Sequence, residues 1–148
     1  MPRTVLLVDE SAAALAELRR ALDASAYRVL SARGARPAFE VLAIEPVHVV
    51  VCAETLSEGT GIDFMARVRL RHPSTLRIVL SDDGDGAAEI AAGTIHFSLS
   101  RAAASGELID AIGRGLQQLD LLHETQRMLR AVRRQRREET RWSPPRTR

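Results

Sequence analysis

The stretch Val47-His48-Val49-Val50-Val51-Cys52-Ala53-Glu54-Thr55-Leu56-Ser57-Glu58-Gly59-Thr60-Gly61-Ile62-Asp63-Phe64-Met65 decides the fold. Its first six residues are mostly apolar and β-branched, without alternation, which is typical of a strand covered on both faces in a parallel sheet. An acidic loop with two glycines follows, and apolar residues then recur at helical spacing from Ile62 onward. A strand, a loop and a helix in this order predict an α/β protein whose functional residues lie at the ends of its strands.

The same alternation of strand and helix continues on both sides of this stretch. Ser11 is a candidate helix N-cap, Pro46 and Pro73 follow predicted helices, and Gly93 is a candidate C-cap. Short connections between strands and helices favour right-handed βαβ units and a doubly wound, five-stranded parallel sheet with an extended C-terminal helix. The predicted strands are 4–8, 27–32, 47–52, 76–80 and 94–99, and the predicted helices are 12–22, 35–45, 62–71, 87–92 and 104 onward.

Composition limits the class of protein. The chain has 148 residues, 45% hydrophobic and 27% charged, which suits one globular domain. The single cysteine, Cys52, rules out an internal disulfide, and no run reaches eighteen apolar residues, so we expect a cytoplasmic location without membrane contact. All 21 basic residues are arginine, which excludes Schiff-base chemistry on lysine.

Charge is distributed unevenly along the chain. Residues 127–148 contain nine arginines and two glutamates, whereas residues 1–126 contain twelve arginines and seventeen acidic residues. The body is therefore acidic, with a net charge of −5, and the C-terminal segment is basic, with a net charge of +7.

Three motifs carry a family resemblance: Val5-Leu6-Leu7-Val8-Asp9-Glu10, Gly61-Ile62-Asp63-Phe64-Met65 and Arg77-Ile78-Val79-Leu80-Ser81. With them, residues 3–120 resemble the receiver domain of bacterial two-component response regulators, in particular receivers of NtrC-class hydrogenase regulators and HD-GYP regulators. The resemblance implies the flavodoxin-like receiver fold. It also implies a phosphoacceptor aspartate at the end of the third strand, a Mg²⁺ bound by acidic residues, and a lysine after the fifth strand.

The chain departs from the receiver pattern where the family does its chemistry. Counting back from Gly61 without a gap places Ala53 at the phosphoacceptor position, and Arg101 replaces the lysine. The resemblance thus implies a degenerate phosphorylation pocket, made of Asp9, Glu10, Ala53, Ser81 and Arg101.

An alanine methyl group cannot attack phosphorus, so we expect no catalytic residue, no enzymatic activity and no required cofactor. Mg²⁺ should bind only weakly, at Asp9 and Glu10. Arg101 should pair with one of these two carboxylates and fill the pocket. Glu54 follows Ala53 by one residue, so its side chain should point away from the pocket.

Other residues have simpler interpretations. We interpret Ser81 as a turn or helix cap and Cys52 as a small core residue. The resemblance also implies a switch aromatic on the fifth strand, for which His96 and Phe97 are the candidates. The fourth helix is expected to be about one turn shorter than in related receivers.

The C-terminal helix is the candidate interaction surface. Leu119, Leu122 and Leu129 recur at three-residue and seven-residue spacing, which favours pairing with another helix. The six arginines between residues 127 and 137 are expected to spread around most of the helix. The last residues, 142–148, contain two prolines and cannot continue it.

These observations predict a receiver-like domain at residues 1–118 and a helical extension with a basic, partly disordered tail at residues 119–148. The expected function is that of a non-phosphorylatable pseudo-receiver, acting in bacterial signal transduction by protein-protein interaction. We expect a homodimer that forms through the fourth and fifth helices and the C-terminal extension. Two alternatives stay open. One is a nucleic-acid-associated regulator that uses the arginine-rich tail; the other is a small ligand-binding or metal-binding α/β protein that uses Asp9, Glu10, Ser81 and Arg101.

Overall fold

The computed structural model describes residues 2–102 and 105–141, where the chain forms an α/β fold. The strands are β1 (Thr4–Val8), β2 (Arg28–Ala32), β3 (Val49–Ala53), β4 (Thr55–Leu56), β5 (Gly59–Thr60), β6 (Leu76–Ser81) and β7 (Phe97–Ser100). Five of them form a parallel sheet, as predicted, in the order β2-β1-β3-β6-β7. The other two, β4 and β5, pair with each other in a small antiparallel hairpin.

Five helices connect and follow these strands. Ser11 caps the first, accepting a hydrogen bond from the Ala14 amide at 3.1 Å, and Thr60 caps the third in the same way through the Asp63 amide at 3.0 Å. Pro46 and Pro73 lie just beyond the second and third helices, as expected. The helices are α1 (Ala12–Leu22), α2 (Ala35–Ile44), α3 (Gly61–Arg71), α4 (Ala87–Ala91) and α5 (Ser105–Arg141).

The sheet has a packed layer on each face. On one face, alternate residues of β1, β3 and β6 form a buried cluster with α2 and α3, whose members include Leu6, Val50, Val79, Leu42 and Phe64. On the other face, Leu80 and Leu99 lie beside residues of α1 and α5. β1, β3 and β6 are buried along their whole length, which accounts for their continuous apolar sequences.

Three local features differ from the sequence prediction. β3 begins at Val49 and not at Val47, whose carbonyl accepts a hydrogen bond from the Thr75 hydroxyl at 3.2 Å. β7 begins at Phe97, because the carbonyls of Gly93 and Thr94 bind a side chain and not a neighbouring strand. The segment predicted as a loop after β3 contains the β4–β5 hairpin, with Gly59 at φ +134°.

The chain divides into two compact units, Met1–Leu116 and Gln117–Arg148, and each is described by itself. Within the first unit, a Cβ on Gly115 would lie 2.6 Å from Leu76 Cδ2, so this glycine lets α5 lie close to β6. Gly113, the other glycine of this helix, has open space around it. The predicted tail at 142–148 lies outside the described residues, and no helix among those described is long and apolar enough to cross a membrane.

Arg77 connects two loops at the amino end of β6 and β7. Its side chain is buried, with 3% exposure. The guanidinium donates to the carbonyls of Pro73, Thr75, Gly93 and Thr94 at 2.8–3.4 Å. Arg77 therefore satisfies carbonyls that the loops before β6 and β7 would otherwise bury without a donor.

We predict that Arg77→Met destabilises the domain by about 2–4 kcal/mol, because the apolar side chain leaves several buried carbonyls without donors. The measurement is equilibrium urea unfolding of the full chain. Arg20→Met, at an exposed position on α1, is the matched control and should change the unfolding free energy by less than about 0.5 kcal/mol. Equal effects of the two substitutions would contradict this role of Arg77.

Candidate functional site

Four of the five predicted pocket residues meet at the carboxyl edge of the sheet because its strands are parallel and in register. Val8 pairs with Cys52, Ala53 with Leu80, and Ser81 with Ser100. The residues that end or follow these strands, Asp9, Ala53, Ser81 and Arg101, therefore lie at neighbouring positions of one edge.

Asp9 is buried, with 6% exposure, and both carboxylate oxygens have protein partners. Oδ1 accepts a hydrogen bond from the Ser11 amide at 2.9 Å. Oδ2 forms an ion pair with Arg101 Nη1 at 3.4 Å. The predicted pairing of Arg101 with one of the two acidic residues is confirmed, and Asp9 is the partner.

Glu10 is held from two directions. Its carboxylate accepts a hydrogen bond from the backbone amide of Ser57, in the hairpin loop after β3. Its carbonyl accepts hydrogen bonds from Arg33 Nε and Nη2, at 3.1 and 2.9 Å. Glu10 thus connects the end of β1 with the hairpin loop after β3.

Ala53 ends β3 with a buried methyl group, at 2% exposure. The next residue, Glu54, is exposed and its backbone is fixed by two hydrogen bonds, from its amide to the Leu80 carbonyl at 2.9 Å and from the Gly61 amide to its carbonyl at 2.8 Å. At this strand end the buried position therefore carries no functional group, and the carboxylate lies in solvent.

The first residue of α3, Gly61, lies directly against the backbone of β3. A Cβ at this position would overlap the carbonyl oxygen of Ala53. The sequence predicts Gly61 only as a loop residue, although it begins the Gly61–Met65 motif. The close approach explains why that motif starts with glycine.

Cys52 lies fully buried below the site. Its thiol donates to the Ala53 carbonyl at 3.1 Å, and burial raises its pKa to about 12. A thiol with so high a pKa is protonated at neutral pH and is a poor nucleophile, in agreement with its interpretation as a core residue.

Ser81 is buried and its hydroxyl belongs to a turn. Ser81 Oγ accepts a hydrogen bond from the Gly84 amide at 2.8 Å and lies 3.4 Å from Asp83 Oδ1. The interpretation of Ser81 as a turn cap is confirmed.

A cavity of about 160 Å³ lies beside the Asp9–Arg101 ion pair, between α1 and α5. Its walls are mainly apolar, with Leu18, Leu80 and Leu108 among them. Arg101 lines this cavity with a side chain that is 40% exposed, and its guanidinium pairs with Asp9 at the cavity wall. Whether Arg101 also fills the space next to Ala53 stays a prediction.

The alternative of a small ligand-binding protein depends on four side chains. Asp9 and Arg101 line the cavity, whereas Glu10 and Ser81 are not among its lining residues. Glu10 is held by Ser57, and Ser81 by its own turn. The cavity therefore brings together only two of the four side chains.

The donors present fit a Mg²⁺ ion poorly. The two remaining carboxylates, Asp9 and Glu10, are already bound by Arg101 and by the Ser57 amide. Within residues 2–102 and 105–141, no group of three or more His, Cys, Asp or Glu side chains is arranged to hold a metal ion. Mg²⁺ prefers six oxygen ligands at about 2.1 Å, and at Asp9 it would compete with the Arg101 guanidinium for the carboxylate.

The two candidates for a switch aromatic have other contacts. His96 Nδ1 accepts a hydrogen bond from the Arg77 amide at 2.9 Å, and burial and the nearby Arg77 lower the pKa of His96 to about 4. Phe97 lies against Gly115, with the Arg114 guanidinium 6.0 Å from its ring centre. Ser98, which no sequence motif indicated, lies against Gly86 just before α4.

The second unit carries two kinds of surface on one helix. Large apolar side chains are exposed at Leu121, Leu122, Met128, Leu129 and Val132, whereas Leu119 is half-buried. Five arginines, at positions 127, 130, 133, 134 and 137, line a common surface. The expectation that the arginines spread around most of the helix is therefore wrong for these five, because steps of three, four and seven residues return to the same side.

Comparisons with known proteins agree with this geometry. Residues 5–112 match the model of the response regulator receiver domain. The chain is 31% identical over 128 residues to the hydrogenase transcriptional regulatory protein HoxA of Cupriavidus necator, covering 84% of this chain and 26% of HoxA. HoxA of Bradyrhizobium diazoefficiens is 26% identical over 126 residues, covering 83% and 26%. The signal receiver domain of an HD domain-containing protein from Pseudomonas fluorescens superposes with a TM-score of 0.75 at 32% identity, covering 81% of this chain and 98% of that one.

The contact between Gly61 and Ala53 leads to a stability prediction. Gly61→Ala should destabilise the domain by about 1–3 kcal/mol, because the new methyl group displaces either α3 or the end of β3. Gly113→Ala, in open space within α5, is the matched control and should stabilise by about 1 kcal/mol. Urea unfolding of both variants measures the difference, and a Gly61→Ala variant as stable as the parent would contradict the close approach.

Proposed function

Because the chain belongs to the response regulator receiver family, we propose that it is a receiver domain that takes no phosphoryl group and signals through protein-protein contact. In this proposal residues 1–118 are the receiver and residues 119–148 are an extension for interaction. The domain requires no cofactor and has no catalytic residue.

The observation that carries the proposal is the buried methyl group of Ala53 at the end of β3. Phosphoryl transfer to a receiver requires an oxygen nucleophile at that place, and a methyl group provides none. Glu54, the adjacent carboxylate, is exposed, and its backbone is tied to Leu80 and Gly61. Moving Glu54 into the site would shift the end of β3 by one residue and break these hydrogen bonds.

The electrostatic contacts near Ala53 also support the proposal that the site takes no phosphoryl group. A transferring phosphoryl group requires cations that are free to bind its oxygens. Arg101 instead pairs with Asp9, and Arg33 donates to the Glu10 carbonyl. Both arginines at this edge therefore already have protein partners.

A receiver that is not phosphorylated cannot be switched by a phosphoryl group. It can then act only through the proteins that bind its surface. The exposed apolar side chains of α5 beyond residue 117 are the surface that favours homodimer formation. We propose that this extension holds two copies together and that protein partners of a signalling pathway bind the resulting dimer.

The relatives suggest the setting of this function. The two curated relatives are hydrogenase transcriptional regulatory proteins, and the chain spans about a quarter of their length, 26% in each case. We therefore propose for this chain only the role of a receiver within bacterial signal transduction.

A nucleic-acid-associated regulator is a second candidate, favoured by one observation. Arg127, Arg130, Arg133, Arg134 and Arg137 share one surface of the second unit, an arrangement that suits phosphate groups along a backbone. The described residues of that surface include no aromatic side chain, so binding would be independent of sequence.

Phosphorylation of the chain can be tested directly. The full chain incubated with Mg²⁺ and acetyl phosphate should show no phosphoryl adduct by intact mass spectrometry, because no nucleophile faces the site. Ala53→Asp is the matched variant, and a receiver known to accept phosphate serves as the control for reagent activity. An adduct on the parent chain, whether on Glu54 or elsewhere, would contradict the proposed function; an adduct on Ala53→Asp alone would support it most strongly.

DNA binding distinguishes the proposed receiver from the nucleic-acid-associated regulator. Binding to a fluorescent DNA duplex is compared between Arg133→Gln/Arg134→Gln/Arg137→Gln and the control Arg19→Gln/Arg20→Gln/Arg36→Gln, whose arginines are exposed on α1 and α2. The proposed function predicts weak binding that the two triple variants reduce alike. The nucleic-acid candidate predicts that the logarithm of the binding constant falls steeply with the logarithm of the salt concentration, by about 0.9 per phosphate contact. Loss of this salt dependence in the first variant only would establish that candidate.

A further inference from the structure

In the described part of the second unit, acidic and basic residues occupy different halves of the helix. Residues 117–126 contain Asp120 and Glu124 and no arginine. Residues 127–137 contain six arginines and no acidic residue. This segment is therefore acidic in its first half and strongly basic in its second half.

A continuous apolar stripe crosses the junction between these halves. It consists of Leu121, Leu122, Met128, Leu129 and Val132, with exposures of 57, 51, 63, 51 and 47%. Steps of seven residues, from 121 to 128 and from 122 to 129, keep these side chains on one side of the helix. The middle of the stripe falls between residues 126 and 127, where the charge changes sign.

We propose that the occupant of this stripe is the same stripe of a second copy, with the two helices antiparallel. The inference deepens the homodimer of the proposed function and rests on it. It adds the direction of the pairing and the residues that determine that direction.

Charge decides between the two directions. In a parallel pair the two six-arginine segments would lie side by side along eleven residues, about 16 Å of helix. Packed helices are about 8–10 Å apart, close to the Debye length of about 8 Å at physiological ionic strength, so these charges would still repel. An antiparallel pair centred on the stripe moves each basic half to the opposite end, beside the acidic half of the other copy.

A second copy also explains the stripe better than an acidic protein or a nucleic acid does. Those partners would bind the surface formed by Arg127, Arg130, Arg133, Arg134 and Arg137, and they would leave the apolar stripe in water. Self-pairing covers the stripe and leaves this arginine surface accessible.

The first experiment establishes what holds the dimer together. Light scattering with size-exclusion chromatography should show the parent chain as a dimer and Leu121→Glu/Met128→Glu as a folded monomer. Ile44→Glu/Leu70→Glu is the matched control, because these apolar residues of the first unit are 81 and 83% exposed. It should remain a dimer, and circular dichroism confirms that all three proteins are folded.

The second experiment measures direction by disulfide cross-linking in a Cys52→Ala background. Leu121→Cys and Val132→Cys are oxidised separately and mixed. The antiparallel pairing predicts a disulfide only between the two different variants, because identical positions lie about 16 Å apart along the pair, beyond the reach of a disulfide.

The outcomes are distinguishable. A dimer that depends on the stripe and forms only the mixed disulfide supports the inference. Disulfides within each variant alone would show a parallel pair and overturn the inference while leaving the homodimer intact. A dimer that survives Leu121→Glu/Met128→Glu would place the interface elsewhere and also overturn the inference. A monomeric parent chain would overturn both the inference and the proposed homodimer.

Discussion

The parallel register of β1, β3, β6 and β7 is the constraint on which the rest of the structure depends. It aligns Val8 with Cys52, Ala53 with Leu80, and Ser81 with Ser100, so that residues distant in sequence share one edge. The apolar side chains of these strands hold that register, because a shift of one residue would turn them away from the two helical layers. A receiver site is thus preserved in outline by packing, independently of whether its chemistry is preserved.

Within this outline, the charged groups of the site are bound to the protein itself. Asp9 pairs with Arg101, Glu10 with the Ser57 amide, and the Glu10 carbonyl with Arg33. In a phosphorylatable receiver, a metal ion and a phosphoryl group would compete for such groups. In the proposed function Ala53 provides no nucleophile, and the observed contacts connect the ends of β1, β3 and β7 directly. The same groups that would bind an input therefore stabilise the loops.

Much of this could be predicted from the sequence, because the signals are local. The continuous apolar runs predicted β1 and β3, and Ser11 and Ser81 acted as caps through their nearest neighbours. Features that depend on distant backbone groups were not predicted. The carbonyls that bind Arg77 come from two separate loops, and the contact that requires Gly61 involves a strand eight residues earlier. Which apolar side chains of α5 are exposed depends on packing. Leu119 was predicted as an interaction residue but is half-buried, whereas Leu121 is exposed.

The central claim is that this edge of the sheet does not respond to a phosphoryl group. Beryllofluoride mimics a phosphoryl group on an aspartate and requires Mg²⁺, so two-dimensional amide NMR spectra of the full chain with and without both reagents test the claim residue by residue. The structure predicts unchanged resonances for the backbone around Asp9, Ala53, Ser81 and Arg101. Saturable shifts centred on these residues would show that the site still accepts a phosphoryl analogue and would contradict the claim.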